Sequence, residues 1–541
     1  MNKRFVTIIL IGLIFASLGA FFRTATYDDG VHATTVQNTI GLKNPFYNNY
    51  EQVRHPFQRI QFSIFALGYT YLFPFNFKWP SLIHAILLCV STLFVFVISR
   101  RYQDQLRSEL TASLYFYFVY TMYWISPTRP EIWLTTIFLL IVFLTERFIL
   151  FLKIKYIVIA SIIIGTFGLT FHSNSWILYI YLILFVLFYR EKFSRIDVRY
   201  IFLSTSLSSI VGLSIIFMPK PQEGLDFLLM MTQEGGNRIT FLLNEIMRFR
   251  NFIYNPHHRY ISYVFSILFL LWIYGNRKIL ISLQQYLFSK YKNVYLCFFA
   301  AFIGLGFLPS ARWNVYLAYY YFPISFIASL LYTNMKLSRK QIIFFKVTIW
   351  ILLIRFLIVK ISTGQIFDIP ELIKLSAYYF PLFLLSLIRG RLNIKLLYLM
   401  LIFGMTHQTF IMHKRWDIVK EISEYFIEHP NTRVYTNPEF DWLRLHHDDP
   451  WYLKRTNSDE LNRGQALIGD NSHWVKLYLE DRSCRFVIAD SIKLSFNSPA
   501  FLPEGYRQLL VCDYECSLSG ENPIGGELSL KEYIEEQLNQ D

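Results

Sequence analysis

The chain has 541 residues, of which 54% are hydrophobic and only 17% charged, and its mean hydropathy is +0.34. That composition excludes a soluble assembly of ordinary domains, an intrinsically disordered chain, a coiled coil and a disulfide-stapled secreted module. A formal charge of +14 would suit a nucleic-acid binder. Here, however, the basic residues sit in short loops between apolar stretches long enough to cross about 30 Å of hydrocarbon as helices, so no nucleic acid is expected as a partner and a bilayer is.

The first apolar segment, Phe5 to Phe22, follows Asn2-Lys3-Arg4 and reads as an uncleaved signal anchor. Twelve further spans are predicted at 80–98, 108–126, 132–149, 156–171, 176–189, 200–217, 259–275, 293–308, 315–332, 342–360, 371–388 and 393–411, giving about 13. Ile60 to Phe75 is also apolar, and the sidedness of everything downstream depends on whether it crosses. With it as a non-crossing juxtamembrane helix, one set of loops holds 22 Lys and Arg in 66 residues and the opposite set holds 10 in 103. Counting it as a span puts the later basic loops on the wrong side. The amino terminus is therefore expected in the cytoplasm, and loops 23–79 and 218–258 are expected outside. The region after the last span is expected outside too.

That last region, 412–541, has mixed charge, turn residues and strand-like runs such as Thr432 to Thr436 and Arg485 to Ala489. The expected architecture is an all-α polytopic transmembrane domain over 1–411 followed by a small extracytoplasmic α/β domain over 412–541. Cys89 and Cys297 read as packing residues within spans. Cys484, Cys512 and Cys516 fall in the outer region, where one disulfide is permitted with one thiol left over. No His/Cys spacing suits a resident metal.

Five outer loops carry residues that can do chemistry. Tyr27-Asp28-Asp29-Gly30 places two adjacent carboxylates just beyond the first span, where desolvation is costly and packing gains nothing. Asp28 can act as a general base and Asp29 can orient a hydroxyl or bind a cation, against the plainer reading of a solvated Asp-Gly turn. The same loop supplies Lys43, His55 and Arg59. In Pro127-Thr128-Arg129-Pro130-Glu131, Arg129 can hold a phosphate, and Glu131 can hold Arg129 or a sugar hydroxyl; equally, the two can simply pair with each other. His172 stands in His172-Ser173-Asn174-Ser175-Trp176, where a helix cap is the alternative role. Arg312 precedes the aromatic run Tyr316 to Phe322, which reads first as an interfacial belt and second as a sugar-stacking surface. Ile239 to Ile253 suggests a helix lying on the membrane. Metal binding by His257-His258 or by His446-His447-Asp448-Asp449 is disfavoured by their spacing.

In this order, the acidic pair, juxtamembrane helix, basic-ended second span and Arg129-Pro130-Glu131 turn resemble the GT-C superfamily of membrane glycosyltransferases. The motifs look most like actinobacterial arabinosyltransferases, and the layout is similar to protein O-mannosyltransferases and aminoarabinose transferases. The resemblance implies a multi-pass enzyme of the bacterial plasma membrane. It would transfer a hexose or pentose from a polyprenyl-phosphate donor to an extracytoplasmic glycan, lipid or protein acceptor by inverting displacement. Asp28 matches the family's first acid and would take the acceptor's proton, although the residues alone do not separate it from Asp29. Arg129 and Arg312, with Lys43 or Arg59, would stabilise the phosphate leaving group. A divalent cation is left open. The rival readings are an outer-leaflet polysaccharide ligase or polymerase using a lipid-diphosphate donor, and a transporter or flippase of lipid-linked sugars.

Overall fold

The structure, a computed structural model, describes residues 3–22, 78–121, 130–168, 170, 173–217, 288–306, 314–334, 339–362, 394–428 and the strands named below, with isolated helical positions between 64 and 67 and between 246 and 273. Its helices fall where apolar length predicts them. They are α1 (Lys3–Phe22), α2 (Lys78–Ser99), α3 (Gln105–Thr121), α4 (Glu131–Phe151), α5 (Lys155–Ile163), α6 (Trp176–Phe188), α7 (Arg195–Phe217), α8 (Lys292–Gly306), α9 (Tyr321–Asn334), α10 (Arg339–Ser362) and α11 (Ile394–Glu428). Predicted spans 259–275 and 371–388, and most of the predicted juxtamembrane helix and of loop 218–258, lie outside the described residues. By length and composition, α2, α4 and α7 suffice to cross a membrane.

Three boundaries differ from expectation. The helix α4 runs past its expected end at 149 to Phe151, because Thr145-Glu146-Arg147 is followed by another apolar turn, Phe148 to Phe151. The helix stops at Leu152, whose left-handed backbone (φ 51°) lets its N–H cap the Phe148 carbonyl. The span expected at 315–332 opens with a 3-10 segment, Asn314–Tyr320, before α9. And α11 runs unbroken for 35 residues, through the expected domain boundary at 411–412.

Short turns alternate helix direction, so the bundle has two unlike ends. Arg100, Arg101, Arg107, Lys153, Lys155, Arg190, Lys192, Arg195, Lys292 and Lys395 collect at one, the basic end. The other, the mouth, gathers the carboxyl end of α1, the start of α4 and the segments before α6 and α9. α2 packs against α1, α3 and α4, while α9 and α11 pack on α3 and α8 on α6. Apolar residues such as Phe202, Leu207 and Ile210 on the outward face of α7 are exposed, as a lipid-facing surface requires. Where α5 passes into a π-helical turn, Ile164–Gly168, it meets α7 backbone to backbone. A Cβ on Gly165 would stand 2.6 Å from the Ser209 nitrogen, and one on Gly212 would stand 2.2 Å from the Gly165 carbonyl oxygen. Small residues alone permit that crossing.

After α11 the described residues form a five-stranded mixed sheet of order β2-β1-β4-β6-β5. Its strands are β1 (Arg433–Thr436), β2 (Lys454–Arg455), β4 (Gln465–Gly469), β5 (Cys484–Ala489) and β6 (Gln508–Cys512). β1 runs parallel to β2 and β4, and β6 runs antiparallel to β4 and β5. β3 (Glu460–Leu461) and β7 (Cys516–Ser517) pair separately. β1 and β5 coincide with the two strand-like runs read in the sequence.

Candidate active site at the mouth of the bundle

Of the predicted site residues, the structure describes Glu131. Asp28, Asp29, Lys43, His55, Arg59, Arg129, His172 and Arg312 lie outside the described residues, as do His257, His258 and the 446–449 cluster. The described residues adjoining several of them end or open helical segments. Phe22 ends α1, Pro130 caps α4, Ser173 opens the 3-10 turn before α6, and Asn314 opens the segment before α9.

Glu131 is the first residue of α4 and is buried, at 5% exposure. Pro130 fixes the entry into the helix, and a carboxylate in the first turn is favoured by the unsatisfied N–H groups and dipole there. Thr135 donates to the Glu131 carbonyl at 2.7 Å, so the first turn is tied. Two residues on, Trp133 packs edge-on against Phe65, ring centroids 6.2 Å apart, and Trp79 Nε1 donates to the Ile64 carbonyl at 3.3 Å. Phe65 is fully buried. A piece of the 60–75 segment therefore lies against the mouth ends of α2 and α4.

Opposite, α11 contributes a polar stretch that the sequence reading passed over. His407, Gln408 and Thr409 are buried, and Thr409 shares a 2.6 Å hydrogen bond with Tyr120 of α3. His413 lies against Phe22, centroids 4.6 Å apart, at the level where α1 ends. The signal was legible, since Thr406-His407-Gln408-Thr409 interrupts an apolar span and polar residues inside a membrane are costly unless used. Asn174 and Ser175 are also buried. Neither Ser175 Oγ nor Trp176 Nε1 has a hydrogen-bond partner among the described residues, which leaves an acceptor and two donors available to a ligand.

Tyr316, Tyr319, Tyr320, Tyr321 and Phe322 are buried within the protein. This corrects the reading of that run as an interfacial belt, whose rings would face lipid. Phe249, from the 218–258 loop, packs on Phe298 and Tyr320, so that loop touches the same segment. The segments at the mouth thus each carry buried polar groups, a carboxylate on α4, an imidazole and an amide on α11, and phenols in 316–321. Among the described residues no group of His, Cys, Asp and Glu is arranged to hold a metal.

The basic end contrasts with it. Glu146, also on α4 and 4% exposed at its side chain, pairs with Arg101 and accepts from Tyr102. It also accepts from Asn293 Nδ2 at 2.7 Å; Tyr181 donates to Asn293 Oδ1 at 3.1 Å, and Thr145 and Tyr181 share a 2.8 Å bond. Burial, followed by the Glu146 charge, pushes the Tyr102 phenol well above its usual range, so it remains a donor. A second knot binds Gln103, Thr111 and Ser329 at 2.7–3.2 Å.

No protein-family model and no curated sequence matches the chain. Solved structures do. ArnT from Cupriavidus metallidurans bound to undecaprenyl phosphate aligns over 96% of this chain and 99% of its own, at TM-score 0.58 and 12% identity. The same protein in its apo state aligns over 94% and 97%, at TM-score 0.59 and 12% identity. Arabinosyltransferase EmbB from Mycobacterium smegmatis shows a weaker, partial likeness, over 82% of this chain and 43% of its own at TM-score 0.45 and 13% identity. The end-to-end likeness to ArnT shows that the chain shares the fold of that protein.

Proposed function

We propose that this protein is a membrane glycosyltransferase that moves a sugar from a polyprenyl-phosphate carrier to an extracytoplasmic acceptor by inverting displacement. One observation carries the reading. A chain with an acidic pair six and seven residues past Phe22 has the fold of ArnT along its whole length, and the ArnT structure holds undecaprenyl phosphate. The basic end then faces the cytoplasm, following the positive-inside rule. The mouth faces outward, and 412–541 forms an extracytoplasmic domain beyond transmembrane domain 1–411.

In this reading Asp28 takes the proton of the acceptor hydroxyl as its oxygen attacks the anomeric carbon, and the bond to the lipid phosphate breaks. Asp29 orients the acceptor. Arg129, Arg312 and Lys43 or Arg59 stabilise the departing phosphate, where fixed charges in a partly dry site contribute a few kcal/mol each, on the order of an oxyanion-hole donor. Glu131 holds Arg129 or a sugar hydroxyl, and His55 and His172 lie in the loops that frame the donor sugar.

The test is transfer from a panel of radiolabelled polyprenyl-phosphate sugars to membrane acceptors by the wild type, Asp28→Asn and Asp29→Asn, with thermal melting as the folding control. Loss of transfer in a normally melting variant identifies the base. Unchanged transfer in both would overturn the mechanism, and transfer from lipid-diphosphate donors alone would favour the ligase reading.

A further inference from the structure

Two of the three cysteines that follow α11 occupy facing positions. Cys484 opens β5 and Cys512 closes β6, and the antiparallel register of those strands sets the two residues directly opposite each other. Directly opposite residues on antiparallel strands share one face of the sheet, with Cα atoms roughly 4.5–5.5 Å apart. That separation lies inside the roughly 4.4–6.8 Å that a disulfide spans. The register shifts at a bulge between Phe486 and Ile488, but the cysteine pair lies on the Cys484 side of it. There it runs on continuously from Arg485 opposite Val511 and Phe486 opposite Leu510.

The other cysteines stand elsewhere. Cys516 belongs to β7, in the separate two-stranded sheet, and is in register with Leu461. Cys89 and Cys297 are free thiols within the bundle, on α2 and α8. β5 is also an edge strand of the five-stranded sheet, paired with β6 alone. A strand with one neighbour leaves half of its backbone groups outside the ladder, so a covalent tie there secures an element that the sheet holds from one side only.

We propose that Cys484 and Cys512 form a disulfide that staples β5 to β6 and leaves Cys516 as a thiol. The bond rests on the outward placement of 412–541 proposed above, since disulfides persist in oxidising compartments and are kept reduced in the cytoplasm. It forms by exchange with a disulfide-bearing oxidoreductase. One cysteine thiolate attacks a sulfur of the oxidoreductase disulfide, and the second cysteine displaces that partner from the mixed disulfide. The oxidoreductase leaves as a dithiol, carrying the two electrons and two protons that the cysteines give up.

Peptide mapping of the full chain tests this. Membranes from expressing cells are treated with N-ethylmaleimide before solubilisation, and the purified protein is digested without reductant. We expect a species joining the Cys484 and Cys512 peptides, with Cys516 alkylated. The species should be lost on reduction and in Cys484→Ser, and kept in Cys516→Ser. In a second arm, reduced purified protein is exposed to oxidised glutathione, and the Cys484–Cys512 bridge should exceed any bridge to Cys516 by about tenfold or more. A dominant bridge to Cys516, or no bridge in either arm, would overturn the pairing. Thiols free in the membranes that oxidised glutathione then joins as Cys484–Cys512 would overturn the bond in the cell, and would put the fault in the outward placement instead of the register. Neither arm reads sugar transfer, so an inactive enzyme and an absent disulfide remain separate results.

Discussion

One helix, α4, carries two buried glutamates, fifteen positions and so about 22 Å apart, and they stand in opposite kinds of surroundings. Glu146, at the basic end, is enclosed by Arg101, Tyr102 and Asn293, and its partners are bonded onward to Tyr181 and Thr145. Glu131, at the mouth, heads the helix beside Trp133 and next in sequence to Pro130 and Arg129. Buried polar groups closed on one another fix the relative positions of helices. At the mouth, Ser175 Oγ and Trp176 Nε1 are buried without a hydrogen-bond partner among the described residues, and such atoms can meet a ligand. The bonded cluster at the basic end fixes neighbouring helices to one another, and the mouth is where the proposed function places the substrate.

Ways to break this contrast can be ranked by size. The largest expected effect is on chemistry: Asp28→Asn should lower transfer by about 10²–10⁴-fold, the usual contribution of a general base, with unchanged melting, as read by initial rates. Next is Glu146→Ala, which strands Arg101 and the Asn293 amide. Removing one partner of a buried pair costs about 3–5 kcal/mol, so the loss should appear in denaturation of the detergent-solubilised protein. Gly165→Leu should destabilise by about 1–3 kcal/mol, the usual cost of overpacking, because its Cβ meets backbone of α7; helix-pair crosslinking between α5 and α7 should weaken with it. Smallest is Asp104→Ala. Its 3.4 Å pair with Arg107 is 55% exposed on the aspartate side and worth about 0–1 kcal/mol, but its Oδ1 also accepts the Arg107 N–H at 2.9 Å as the cap of α3, so melting should fall by the equivalent of about 0.5–2 kcal/mol.

Much of the bundle was legible because apolar length and loop charge are strong signals, and α1, α2, α4, α6 and α7 begin or end within a few residues of the predicted spans. The misses share a cause. Glu146 fell within the predicted span 132–149 but its role was passed over, because in a linear sequence a charge buried by distant Arg101 and Asn293 looks like one facing water. His407 to Thr409 were absorbed into an apolar span by averaging over its length. The aromatic run from Tyr316 was assigned to the interface because ring-rich segments at span ends often lie there, whereas contacts such as Phe118 on Tyr321 turn it inward. Pairing across helices, unlike hydrophobic length, leaves no local mark.

The most direct test of the contrast compares Glu131→Gln with Glu146→Gln, measuring transfer rate and melting temperature in the same preparations. The account predicts that Glu131→Gln loses transfer while melting like the wild type, and that Glu146→Gln melts lower while its still-folded fraction retains transfer. The reverse pattern, with Glu131 needed for stability and Glu146 for turnover, would contradict it.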